Sequence, residues 1–217
     1  MRQLSVKPVP SGRSINITGF VLAGGESRRM GRPKESLIIA TESMLDRQIR
    51  LLRSVSSRVM VIGGSSDDAS GGNAIRIPDL FPGRGPLGGI YTALLESQTE
   101  FNFVLGCDLP LVNERLLRYL AIRAAASGSD VTVPRSRDGR LQPLCGVYRR
   151  RCLRAIRSRL ALGENKLRSF FTGVHCDVIP WTDLARAGFR SSIFRNMNTQ
   201  EDYECVRRML EGPVMPD

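Results

Sequence analysis

Apolar and polar positions come in blocks along this chain, and the blocks change period. Ile17 to Ala23, with Thr18 and Gly19 inside it, is a short apolar run, the pattern of a buried strand. Leu37-Ile38-Ile39 is a shorter apolar piece. Ser43 with Asp46 resembles a capping box, and Leu45, Ile49 and Leu52 then recur at helical spacing to about Ser54. Val59 to Ile62 predicts a second buried strand and Ala74 to Ile77 a third, ending at Pro78, with a Gly/Ser/Asp loop between them. A helix carrying Ile90, Ala93 and Leu94 opens behind the Gly- and Pro-dense loop 78–89, and Phe101 to Leu105 predicts a further strand. Asn113 stands where the cap of a helix bearing Leu116, Leu117 and Leu120 should be.

Asp130 to Pro134 and Leu141 to Tyr148 predict two strands joined by the polar, hairpin-like excursion Arg135 to Arg140. Leu153, Ile156 and Leu160 mark another helix, and Val174 to Ile179 a late strand closed by Pro180. Thr199 and Asp202 form a second capping box before Tyr203, Val206 and Leu210 of a terminal helix. Strands alternating with helices, without an internal repeat, predict a three-layer α/β/α domain over residues 15–211 with a mainly parallel sheet. Residues 1–14 read as a flexible extension and 212–217 as a frayed tail.

Composition narrows the function classes. No apolar stretch approaches the ~20 residues of a membrane span, and the N-terminal residues lack the apolar core of a signal peptide, so a cytoplasmic protein is expected. Five cysteines without a CxxC spacing and one histidine give little support to a zinc site, a Cys–His pair or a Ser–His–Asp triad. Reduced, mostly buried thiols and a surface or strand-edge His175 are the expectation. The net charge is +11, and six arginines crowd Arg149–Arg159 without an acidic residue. Because Leu153, Ile156 and Leu160 take one helix face, the arginines fall largely on the solvated one. Nucleic-acid motifs are absent, which leaves attraction of phosphorylated substrates as a secondary effect of the charge.

The candidate chemistry sits at the end of the first strand. Phe20-Val21-Leu22-Ala23 runs into Gly24-Gly25, and Arg28, Arg29, Arg32 and Lys34 follow within ten residues. Glycines let backbone N–H groups face an anion closely, and cations beyond them add charge-assisted bonds, so the stretch reads as a phosphate cradle for a nucleoside triphosphate. It is not a P-loop: five residues separate Gly25 from Gly31, and Arg32-Pro33 follow instead of Lys-Ser/Thr. The GxGxxG dinucleotide fingerprint is absent too.

The pattern Leu-Ala-Gly-Gly-x-Ser-x-Arg-Met-Gly-x-x-Lys, Leu22 to Lys34, resembles the first motif of nucleotidylyltransferases with a Rossmann-like, glycosyltransferase-A-like (nucleotide-diphospho-sugar transferase) fold. Among these the chain looks most like the molybdenum cofactor guanylyltransferases, over roughly residues 17–211. The resemblance implies transfer of GMP from GTP to the terminal phosphate of molybdopterin, with pyrophosphate leaving and Mg²⁺ as cofactor. It implies that Leu22, Ala23 and Gly24 contact base and ribose, that Gly25 and Arg29 hold phosphates, and that Lys34 neutralises charge as pyrophosphate departs. Asp79 matches the family's guanine-reading aspartate, although an Asp before a loop is also a common turn former. Gly85-Pro86-Leu87-Gly88-Gly89 matches its loop over the nucleotide.

Asp108, delivered by the strand Phe101 to Leu105, matches its metal-binding aspartate, and a lone carboxylate beside substrate phosphates suits Mg²⁺. Gln142, Asn196 and Asn198 fall in segments on the family's acceptor side. Where some members carry Asn after the second strand, this chain has Ile62-Gly63-Gly64, and no contact is carried over there. Three alternatives stay open: a cytidylyltransferase on the same pterin, which more typically shows Leu-Ala-Ala-Gly, a sugar- or polyol-phosphate nucleotidylyltransferase, and a catalytically silent nucleotide-binding adaptor. Cofactor-biosynthesis proteins or molybdoenzyme chaperones could dock on the basic surface; no nucleic-acid or membrane partner is expected.

Overall fold

β1 (Ile17–Leu22) forms where the first apolar run stands, and every one of its residues is buried. The computed structural model describes residues 15–24, 36–64 and 74–211. After β1 come a small antiparallel pair, β2 (Ile38–Ile39) and β3 (Glu42–Ser43), and then helix α1 (Met44–Arg53). β4 (Arg58–Ile62), β5 (Ile75–Ile77), α2 (Gly85–Glu96), β6 (Phe101–Gly106) and α3 (Glu114–Ser127) follow. The second half runs β7 (Val131–Pro134), β8 (Cys145–Arg149), α4 (Leu153–Ala161), α5 (Leu167–Phe171), β9 (Cys176–Ile179), α6 (Trp181–Arg186) and α7 (Gln200–Glu211).

Seven strands make one sheet in the order β5-β4-β1-β6-β8-β7-β9. β8 is antiparallel to both neighbours, while the remaining pairings are parallel, so the expected mainly parallel sheet is present. Alternation along β1 splits the core: Ile17 and Val21 pack with α1 and α3, whereas Phe20 and Leu22 pack with α2, α4 and Phe170 of α5. Two helical layers thus sandwich the sheet. All three expected helix caps form, with the Asp46 N–H donating to Ser43 Oγ (3.0 Å), the Leu116 N–H to Asn113 Oδ1 (3.0 Å) and the Asp202 N–H to Thr199 Oγ1 (3.1 Å).

Some boundaries differ from expectation, for identifiable reasons. The strand predicted from Leu141 begins only at Cys145, because Pro143 has no N–H to donate and the Cys145 N–H closes a turn onto the Gln142 carbonyl (3.0 Å). The late strand starts at Cys176 rather than Val174. The segments α5 and α6, at five and six residues, are too short to show a helical period in the sequence.

Candidate active site

The residues singled out by the motifs that the structure describes collect on one edge of the sheet, and strand register explains why. Leu22 of β1 stands level with Ile62 of β4 and Gly106 of β6, and Ile62 with Ile77 of β5. Four parallel strands therefore end on one line. The next two residues of each, Ala23-Gly24, Gly63-Gly64, Pro78-Asp79 and Cys107-Asp108, form the kind of edge where open α/β sheets bind ligands. Asp79 and Asp108 are three strand spacings apart, roughly 14 Å, enough for one nucleotide to lie across β4 and β1. Gly25, Arg29 and Lys34 lie outside the described residues.

On the β1–β4 side the site is made of backbone. The Ala23 N–H donates to the Ile62 carbonyl, and the Gly63 N–H to the Ile77 carbonyl, each at 2.9 Å. Gly63 adopts a φ of 74°, and a Cβ on it would stand 2.4 Å from the Ala23 carbonyl oxygen. The two turns touch, and only a residue without a side chain allows that contact. At this position the chain departs from the family's Asn pattern, and what fills the place is backbone packing against the Ala23-Gly24 turn.

Asp79 follows β5. Its Oδ1 accepts from the Phe81 N–H (2.9 Å) and from the Thr92 hydroxyl (3.1 Å). The turn-forming role anticipated for it is therefore real, and it occupies one oxygen. Among the described residues Oδ2 accepts no hydrogen bond.

Asp108 sits just past β6, half-buried. Its Oδ1 lies 2.8 Å from where a Cβ on Gly106 would be, so the carboxylate folds back into space left open by that glycine. Gln48 of α1, fully buried, donates to the Leu109 carbonyl (3.0 Å), and Arg47 donates to the Pro110 carbonyl (2.9 Å), which pins the chain beyond Asp108. Asn113 caps α3, so Asp108 is not spent on capping. No cluster of three or more His, Cys, Asp or Glu that could hold a metal lies among the described residues. A single carboxylate in a glycine-made recess fits Mg²⁺, which completes its shell with water and substrate phosphates.

Two backbone hydrogen bonds fasten the segments expected on the acceptor side to the same strand end. The Gly106 N–H donates to the Leu144 carbonyl (2.8 Å), and the Met197 N–H to the Asp108 carbonyl (2.9 Å). Met197 is buried, while Asn196 and Asn198 on either side of it are exposed, as alternation along extended backbone requires. Gln142, Asn196 and Asn198 line one cavity of about 390 Å³, together with Arg137, Arg140 and Arg195. Asp138 and Asp202 also reach it but are engaged in their own loops. Asp202 accepts from the N–H groups of Asn198 (3.0 Å) and Thr199 (3.1 Å), and the Asn198 N–H holds its carboxyl below the usual range. The Ser136 hydroxyl does the same to Asp138. Arg140 is itself paired with Asp138 (3.2 Å), so the cavity meets an incoming anion with guanidinium groups partly offset by its own carboxylates.

Burial keeps three of the thiols in their neutral form. Burial pushes the Cys152 thiol up to about 12 and that of Cys176 to about 11, and drives Cys145 higher still. No disulfide forms among the described residues, and His175 is exposed at the start of β9 as expected. Sequence reasoning missed Gln48, Thr92 and the three cavity arginines. Arg195 lies inside the Phe194-to-Asp202 motif, but Thr92 and Gln48 lie in ordinary helical patterns and carry no local signal.

Residues 19–178 match the model of the MobA-like NTP transferase domain. The chain is 34% identical to a probable molybdenum cofactor guanylyltransferase of Pelotomaculum thermopropionicum over 91% of its length and 95% of the relative's. It is 32% identical to the molybdenum cofactor guanylyltransferase of Desulfosudis oleivorans, over 90% of this chain and 96% of that one. In structure it resembles molybdopterin-guanine dinucleotide biosynthesis protein A from Archaeoglobus fulgidus, with a TM-score of 0.74 at 22% identity over 89% of this chain and 98% of that one. A 2-C-methyl-D-erythritol 4-phosphate cytidylyltransferase from Thermus thermophilus superposes with a TM-score of 0.63 at 14% identity, covering 91% of this chain and 100% of that one. These two likenesses establish the glycosyltransferase-A-like fold, which serves more than one base and acceptor. With a family model spanning most of its length and full-length relatives above 30% identity, the chain belongs to the MobA-like NTP transferase family of nucleotidyltransferases.

Proposed function

We propose that this enzyme transfers GMP from GTP to the terminal phosphate of molybdopterin. A phosphate oxygen of the acceptor attacks the α-phosphorus, the bond from that phosphorus to the bridging oxygen of the β-phosphate breaks, and pyrophosphate leaves. A new phosphoanhydride joins the two halves of molybdopterin guanine dinucleotide. The nucleophile is already anionic, so the protein's task is to position two polyanions and offset their repulsion.

The observation that carries the reading is the placement of Asp108, bonded through its own carbonyl and through Gly106 to the acceptor segments and level with the Ala23-Gly24 turn. One carboxylate thus stands between a nucleotide edge and a cationic cavity. Asp108 would hold Mg²⁺ with the triphosphate, and the ion would offset phosphate charge there. Arg137, Arg140 and Arg195 would receive the acceptor's phosphate, with Asn196, Asn198 and Gln142 orienting the remainder. Lys34, Arg29 and Gly25 take the departing phosphates in this reading. The guanine preference rests on Asp79 and on the names borne by the relatives.

The test is turnover with GTP labelled at the α-phosphate, molybdopterin and Mg²⁺. The expected result is label in a dinucleotide with one pyrophosphate released per product. Equal or greater product from CTP would move the enzyme to the cytidylyl reading, and transfer only to a sugar or polyol phosphate would replace the acceptor.

A further inference from the structure

The loop bearing Asp79 is mounted on helix α2 by contacts that none of the recognised motifs explains. Thr92, on the second turn of α2, is fully buried although it is polar. Its Oγ1 accepts from the Leu80 N–H (3.1 Å) and lies 3.1 Å from both Asp79 Oδ1 and the Gly88 carbonyl oxygen. A threonine needs only the last of these to be content inside a helix, by bonding back to the carbonyl one turn earlier. The hydroxyl has one proton for two acceptors: given to Asp79 Oδ1 rather than to Gly88, it ties the helix to the loop carboxylate, while the bond accepted from the Leu80 N–H ties it to the backbone beside it.

The surrounding packing holds that geometry. A Cβ on Gly88 would come within 2.9 Å of both the Phe81 Cβ and the Phe81 carbonyl oxygen, so loop and helix are pressed together at that point. The Phe81 ring meets the Tyr91 ring edge-on at 5.3 Å between centroids. With the loop seated, Asp79 Oδ1 is filled by the Phe81 N–H and the Thr92 hydroxyl, and Oδ2 is the oxygen left for a ligand among the described residues.

We propose that Thr92 is a positioning residue for base selection: by holding Oδ1 of Asp79 in the loop, it presents Oδ2 to the N1–H and N2–H₂ donors of guanine. This rests on the reading of Asp79 as the base-contacting carboxylate. A carboxylate held by the Phe81 N–H alone has a looser acceptor direction, and discriminates less against a base such as adenine, whose edge offers an acceptor where guanine offers a donor. Thr92 touches no nucleotide itself; it acts through Asp79.

The experiment compares GTP and ATP binding by calorimetry with Mg²⁺ in the full chain and in Thr92→Val, Thr92→Ser and Asp79→Ala, with melting temperatures recorded for each. Thr92→Val keeps the shape and removes the hydroxyl, and the GTP-over-ATP ratio should fall about tenfold, the worth of one hydrogen bond. Thr92→Ser restores the hydroxyl and should restore the ratio, even where both variants lower the melting temperature alike. A merely structural threonine would weaken both nucleotides equally and leave the ratio unmoved, which overturns the proposal. If Asp79→Ala also leaves the ratio unmoved, the base-reading role of Asp79 itself falls; if it alone collapses the ratio, only the role of Thr92 does.

Discussion

The two sides of the cleft are built from different materials. At the ends of β1 and β4 the surface is backbone: Ala23-Gly24 and Gly63-Gly64 touch at a carbonyl, and Gly63 holds a conformation that side chains rarely adopt. On the side of β8, β7 and the segment before α7 the surface is side chain, three guanidiniums and three carboxamides around one cavity. Backbone cannot vary without changing shape, so the side proposed to hold the nucleotide owes its form to glycine rather than to particular side chains. Side chains can be exchanged without moving the backbone, so the side proposed to take the acceptor is the easier one to alter. Asp108 stands between them, its own carbonyl bonded to the Met197 N–H.

The largest expected effect comes from the two residues proposed to meet the triphosphate. Asp108→Ala and Lys34→Ala should each lower kcat by several orders of magnitude while the circular dichroism and melting curve stay native. A near-normal rate in either variant removes that residue from the mechanism. Gly106→Ala sharpens the point, because its methyl would lie 2.8 Å from Asp108 Oδ1 and 3.1 Å from Leu144 Cβ. It should cost about 1–3 kcal/mol in stability and should also reduce turnover beyond that loss; normal kinetics in a stable Gly106→Ala protein would show that the recess does not place the carboxylate.

Smaller effects should separate the halves. Gly63→Ala should weaken GTP binding and lower stability by about 1–3 kcal/mol, while leaving the KM for acceptor unchanged. Arg195→Ala or Arg140→Ala should do the reverse, raising the acceptor KM about tenfold with the KM for GTP untouched. If either arginine variant changed both constants equally, the division of the cleft would be wrong. The smallest effect lies in the acceptor edge itself. Asp202, with its folded pKa depressed by the Asn198 and Thr199 N–H groups, contributes stability that is present above the ordinary carboxylate range, near 3.9, and is lost as pH falls through the lower folded value. Acid should therefore loosen residues 198–202 as pH falls below about 4, which amide protection corrected for intrinsic exchange would detect between about pH 2 and 5; protection there that ignores pH contradicts it. Thr199→Ala should cost about 1 kcal/mol through the lost cap.

The same contrast governs what could be read from the sequence. The four strands that line up at the edge were recognisable from their apolar runs, and β1 with its glycine turn pointed to nucleotide chemistry, since close backbone approach demands glycine and leaves a visible mark. Asp108 was legible because Asn113 already served as the cap. Arg137 and Arg140 were not, because an arginine in a polar loop looks the same whether it binds a phosphate or water. Thr92 and Gln48 were hidden for another reason: their partners, Asp79 and the Leu109 carbonyl, are far away in sequence and near only once the sheet forms. Gln142 was expected on a strand and lies instead in the turn before β8, made by Pro143.

The most direct test of the central claim is nucleotide binding in the absence of acceptor, comparing GTP, CTP and ATP with Mg²⁺ by calorimetry. If the strand ends from β5 to β6 are a preformed nucleotide site with guanine read at Asp79, GTP binds alone and more tightly than CTP or ATP, and Asp79→Ala erases the difference. Preference for CTP, or no binding until molybdopterin is added, would contradict that account.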